Sequence, residues 1–155
     1  MALRSIINYK KDEVLRKKSK HVDMIDQKTI ELLNDMAETM YKADGAGLAA
    51  PQVGILKRVV VIDIGEGLIK LINPEIIAQV GEQQDIEGCL SIPGIIGDVI
   101  RPHWVKVKTM DENGKNLELE GTGLLARAFC HEIDHLNGIL FIDKVVPGTV
   151  KIINN

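Results

Sequence analysis

The chain has 155 residues, of which 45% are apolar and 26% charged, and a net charge of −3. This composition excludes a disordered tail and implies one ordinary domain over residues 1–155, with an aliphatic core because aromatics are only 3%. The mildly acidic balance also excludes broad nucleic-acid binding, DNA included, which needs a basic face.

The N-terminal "MALRSIINYKKDE" lacks the apolar centre of a secretory signal, and no stretch reaches the length of a membrane span. A cytoplasmic location is therefore expected, with no membrane partner. There, Cys89 and Cys130 are expected to remain unpaired. The run "RKKSK", Arg16 to Lys20, reads as a solvated loop or helix end.

In chain order, "DQKTIELLNDMAETMYKADG" predicts a helix capped by Asp26 and ended by Gly45, with Ile30, Leu33, Ala37, Met40 and Tyr41 as its apolar stripe. "RVVVIDI" and "LIKLI" are β-branched runs joined through "GEG", which predicts a hairpin. Pro74 is expected to interrupt before a further apolar stretch, Ile76 to Val80. The segment between Gly81 and Gly94 reads as an irregular strand or turn. "WVKVKTM" alternates strictly, and "DENGKN" and "LELEG" complete a second hairpin around Asn113-Gly114. Leu124 to Leu136 has helical periodicity, with Thr122 or Gly123 at its entry and Asn137-Gly138 as its stop. Hairpins bracketed by helices, without βαβ alternation, predict an α+β fold: antiparallel or mixed sheets packed around a central C-terminal helix, with a second helix near the N-terminus.

That C-terminal helix carries "HEIDH". Helical spacing places Leu124, Ala128, His131 and His135 on one stripe, and Leu125, Phe129, Ile133 and Leu136 on an apolar neighbour. Histidines four residues apart can grip one metal ion, while Glu132, about 100° round the helix, can reach a water beside it. The alternative is a pair of packed histidines satisfied by backbone carbonyls. A catalytic metal site needs a third protein ligand. His21 and His103 lie in charged or Pro-flanked stretches without a framing motif and read as surface or turn residues. Cys89, in "DIEGCLSIPG", follows a glycine that lets another element approach; it is either a thiolate ligand or a small buried hydrophobe.

"DGAGLAAPQVG", Asp44 to Gly54, lacks the Lys-Ser/Thr of a phosphate loop and the third glycine of a dinucleotide fingerprint. Its small residues suggest backbone lying against another element or against an extended ligand added at a strand edge. Gln52 is the one amide donor there: a loop-surface residue, or a donor aimed at a developing oxyanion.

Together, "GAGLAAPQ", "EGCLS" and "HEIDH" resemble peptide deformylase, bacterial type, over most of the chain to about Phe141. The resemblance implies a metal-dependent hydrolase that removes the formyl group from the initiator methionine of nascent peptides. It implies Cys89, His131 and His135 as ligands of one divalent metal, Fe(II) natively, with Zn, Ni or Co as alternatives. Glu132 becomes the general base and acid, with Gln52 and the Leu90 N–H as oxyanion donors. Gly45, Gly47, Leu48, Ile86, Glu87, Gly88, Leu124 and Ala128 are expected to touch substrate, with Leu124, Ala128 and Ile86 around the methionine side chain. Formyl-methionyl nascent peptides are the implied partners, with transient ribosome association. The sequence ends at "DKVVPGTVKIINN", without the longer C-terminal helix of many relatives.

Three further expectations concern single residues. Cys130, where relatives often carry glutamine, reads as a core thiol. The Arg127 stem is expected at a pocket rim with its charge in water. Arg101 is expected to pair with Asp44. The rival readings are an H-E-x-x-H metallopeptidase, for which the stretch after His135 offers only Asp143, and a non-catalytic, metal-stabilised peptide-binding module.

Overall fold

A computed structural model describes residues 2–153. The first helix, α1 (Gln27–Lys42), is capped by the Asp26 side chain, which accepts from the Thr29 N–H. Strand β1 (Gly47–Ala49) runs into a 3-10 turn, Ala50–Val53, and β2 (Val59–Ile62) and β3 (Ile69–Val80) follow. Next come β4 (Gln83–Cys89), β5 (Ile92–Arg101), β6 (Trp104–Met110) and β7 (Asn116–Thr122), then α2 (Leu124–Leu136) and the short β8 (Lys151–Ile152). The sheets have the strand orders β1-β2-β3-β6-β7 and β4-β5-β8, and every pairing between named strands is antiparallel. This is the α+β architecture expected.

The five-stranded sheet is covered on both faces, which explains why "VVVI" in β2 is apolar without alternation. Val59 and Val61 meet Leu33, Met36 and Met40 of α1. Val60 and Ile62 meet Phe129, Ile133 and Leu136 of α2. Full burial of Phe129 and Leu136 contributes about 1.5–3 kcal/mol each. The second sheet rests on a smaller cluster of Leu15, Ile92, Val99, Leu140 and Phe141. Among the described residues, no helix is long and apolar enough to cross a membrane.

Two expectations need correction. The buried residues of α1 are Thr29, Leu32, Leu33, Asp35, Met36, Ala37, Thr39 and Met40; Ile30 is only half-buried, and Tyr41 is exposed and donates its hydroxyl to Asp63 at 2.7 Å. Pro74 does not end its strand: β3 runs through it, with a register shift between Ile72 and Glu75 where the missing N–H is tolerated. Asn73 takes a left-handed conformation at that shift and exchanges hydrogen bonds with the Val22 backbone at 2.8 and 2.9 Å. The segment between Gly81 and Gly94 is the irregular strand and turn expected: it forms β4, with a register shift between Glu87 and Cys89, and turns at Leu90 and Ser91 into β5.

Candidate metal centre and substrate cavity

Two elements deliver the candidate ligands. Helix α2 has no side-chain cap; Gly123 precedes it with a positive φ of 57°, a conformation that favours glycine. Its His131 and His135 rings project together, with centroids 5.0 Å apart. Strand β4 brings Cys89 to them at its shifted end. Ligand atoms of Cys89, His131 and His135 all lie within 4.8 Å of one another, and Cys89 Sγ sits 3.3 Å from His135 Nε2. His21 and His103 are exposed, as expected.

One soft and two borderline donors, converging from separate elements, fit a single divalent cation. The surroundings also fit. His131 Nδ1 lies 2.8 Å from Glu87 Oε1, so an Nδ1–H donated there leaves Nε2 with its lone pair toward the site. Burial holds His135 well below its ordinary range, in the neutral form that can ligate.

Glu87 was expected to touch substrate. It borders the cavity, but its carboxylate is committed elsewhere: to Arg101 at 2.7 and 2.9 Å, to Arg127 at 2.6 Å and to His131. Burial alone would raise its pKa; the bonds to Arg101 and His131 outweigh this and hold it well below the usual carboxylate range. Arg101 therefore does not pair with Asp44. Its guanidinium is buried and needs two carboxylates, Glu87 and Asp134, the latter at 2.7 Å. Arg127 is likewise buried, not solvated, and also donates to the Val99 carbonyl at 2.9 Å.

Glu132 is buried beside the candidate ligands, with Oε2 at 4.0 Å from His131 Nε2 and Oε1 without a partner. Burial pushes its carboxyl up to about 7 against the pull of His131. Gly47 makes this position available: a Cβ there would meet Glu132 Oε2 at 2.5 Å. Gln52 is buried too. Its Oε1 accepts from the Ala49 N–H at 3.0 Å, which turns Nε2 toward Ser91 Oγ at 3.1 Å and Cys89 Sγ at 3.5 Å.

These groups open onto a cavity of about 380 Å³. Gly45, Gly47, Gly88, Leu90, Ile86, Leu124 and Ala128 border it, and Ile86 and Leu124 are apolar side chains more than half exposed at its edge. Leu48, expected with them, belongs to the core beneath α1, because strand alternation turns it to the opposite face from Gly47 and Ala49. Cys130 is a buried free thiol whose pKa burial raises to about 11. The sequence reading missed Ser91 and the Glu87–Arg101–Arg127–Asp134 cluster. The only signal was four charged residues spread over β4, β5 and α2.

A family model for polypeptide deformylase matches residues 3–151. The peptide deformylase of Alkaliphilus metalliredigens is 64% identical over 94% of this chain and 99% of its own length. Peptide deformylase 1 of Clostridium acetobutylicum is 59% identical, covering 96% and 98%. Among solved structures, peptide deformylase from Thermotoga maritima superposes with a TM-score of 0.92 at 43% identity, over 95% of this chain and all of that one. The Synechococcus elongatus enzyme, solved in complex with actinonin, gives 0.86 at 48% identity over 94% and 79%.

Proposed function

Because the chain belongs to the polypeptide deformylase family, we propose that Cys89, His131 and His135 hold its divalent metal ion, and that Glu132 moves the proton during hydrolysis of the formyl amide. The observation that carries this reading is the convergence of the three ligand atoms within 4.8 Å, next to a buried carboxylate with a free oxygen. The metal-dependent reaction releases formate from N-formyl peptides. A divalent ion in this set supplies Lewis acidity and lowers the pKa of the attacking water. Fe(II) is the metal we assign, with Zn, Ni or Co able to replace it, since a thiolate and two imidazoles suit several ions.

The chain's own groups do the rest. Glu132 takes the water's proton and returns it to the leaving amine, so that formate and a free amino terminus result. Its carboxyl, raised by burial, is suited to both halves of that exchange. Gln52 Nε2 and the Leu90 N–H donate to the oxyanion that develops on the formyl oxygen. The Ala49 bond to Gln52 Oε1 keeps the amide in the donating orientation. Ile86, Leu124 and Ala128 receive the methionine side chain. Strand β1 is the edge of its sheet and brings Gly47 to the cavity, so an extended peptide can add there as a further strand. We assign residues 1–155 to one catalytic unit, acting in a bacterial cytoplasm on nascent formyl-methionyl peptides, with transient ribosome association.

Neither rival is favoured. Asp143, the one downstream group a metallopeptidase could use, is held by Arg16 at 2.5 and 3.1 Å and by the Leu140 N–H at 3.0 Å. A binding module has no need of the poised Glu132 and Gln52. Anaerobic purification with metal analysis, followed by an assay of formate release from formyl-Met-Ala, tests the reading. One equivalent of metal and formate production are expected. Cleavage of an internal peptide bond instead, or metal binding without turnover, would overturn it.

A further inference from the structure

The basic run Arg16 to Lys20 takes no part in the site described above, and it is not a free loop. It lies across the end of α2. The Ser19 N–H donates to the Leu136 carbonyl at 2.8 Å, and a Cβ on Gly138 would strike the Arg16 carbonyl, so a glycine is required where the two segments meet. On its other side the run joins a second basic stretch. The Lys20 N–H donates to the Leu56 carbonyl and the Arg58 N–H to the Lys20 carbonyl, both at 3.0 Å. Lys20 and Lys57 stand opposite each other in the resulting bridge, like charges that repel when so placed.

Lys18, Ser19, Arg58 and Asn137 border a cavity of about 680 Å³ that shares no lining residue with the substrate cavity. Arg58 is half-buried there and donates to the Ser19 and Leu136 carbonyls at 3.3 and 3.0 Å and to Asn137 Oδ1 at 3.0 Å. All three acceptors are neutral, and a guanidinium has further N–H donors beyond these. The buried Arg101 and Arg127 each have a carboxylate. Among the described residues Arg58 has none, and burial alone pulls it below its ordinary value. Ser19 is only 4% exposed, yet its hydroxyl has no partner. Two carboxylates also border the cavity: Asp134, held by Arg101 at 2.7 Å and Lys144 at 3.0 Å, and the exposed Glu75. Capping α2 accounts for the bond to Leu136. It leaves the remaining donors, the adjacent ammonium groups and the Ser19 hydroxyl unexplained.

We propose that this cavity is a phosphate site, in which Arg58, Lys18 and the Ser19 hydroxyl bind the oxygens of one phosphate group. Donors gathered around an uncompensated guanidinium select an anion that only accepts, and a phosphate offers more such oxygens than a carboxylate. The group is either the free ion or a phosphodiester of an RNA backbone. The site stands independently of the deformylase reading.

The test titrates inorganic phosphate, and separately a short single-stranded RNA, into the metal-loaded protein by calorimetry at constant ionic strength. Saturable binding is expected. Arg58→Gln should weaken it about tenfold, Lys18→Gln and Ser19→Ala about threefold each, and Glu75→Gln should tighten it by a similar factor. The KM for formyl-Met-Ala should be unchanged by phosphate and by all four substitutions, because the site lies off the substrate cavity. RNA binding lost in the same variants would identify the group as a backbone phosphodiester, and phosphate binding without RNA binding would identify it as the free ion; either upholds the site. Binding of neither probe, or binding unmoved by the Arg58, Lys18 and Ser19 substitutions, overturns the inference. Melting curves check that each variant folds, and should Arg58→Gln fail to fold, Lys18→Gln and Ser19→Ala decide the matter.

Discussion

Hairpins β6–β7 and β4–β5 are neighbours in sequence but are built to different rules. In β6–β7, every residue from Trp104 to Met110 has a partner in unbroken register, and the inward residues Val105 and Val107 are buried against α2. In β4–β5 the register slips between Glu87 and Cys89, and the strand carries a buried carboxylate and a free thiol. The regular hairpin is a platform. The irregular one turns two successive polar groups in different directions, Glu87 toward two arginines and Cys89 toward two imidazoles. A bulge re-aims side chains at the expense of pairing, and here it brings the sulfur to the helix.

Substitutions can break that contrast. The largest effect is expected on the chemical side: Glu132→Gln should keep its metal by elemental analysis yet lose about 10²–10⁴-fold in kcat, and retained turnover would contradict its role. Next, Arg101→Ala leaves the Glu87 charge buried with one partner fewer, and should lower unfolding free energy by about 3–5 kcal/mol in a urea titration. The same cluster has a pH signature. Glu87 titrates below its ordinary value of 4.5 in the fold, so its contribution is complete above that value and is lost as pH falls. Stability should therefore drop from about pH 4.5 downward, and Glu87→Gln should flatten that slope. In the regular hairpin the effect reverses in kind: Val107→Ala should cost about 2 kcal/mol of stability with kcat/KM of the folded enzyme intact. If activity fell there as steeply as stability, the platform reading would be wrong. The smallest effect, about 1 kcal/mol, is expected for Asp26→Ala, which removes a helix cap remote from the cavity.

The same contrast explains what the sequence made legible. Helix α2 and β6 could be read to the residue, and β7 to within one residue at each end, because periodicity, alternation, the Asn-Gly stop and the Asn-Gly turn act locally. The proposed ligands followed from the spacing of His131 and His135 and from motif resemblance. Local pattern could not reveal where Arg101 points, since its partners Glu87 and Asp134 lie fourteen and thirty-three residues away. Leu48 was misplaced for a related reason: membership of a motif says nothing about which face of a three-residue strand a side chain occupies. Pro74 misled because a bulge, not a strand end, absorbs its missing donor.

The sulfur and the second imidazole of the proposed site are forty-six residues apart. During synthesis at about 5–20 residues per second, the thiol is made several seconds before the last imidazole. Throughout that interval the emerging chain lacks the complete set of three donors, so capture of an ion belongs to the final stage of assembly, once the helix has docked.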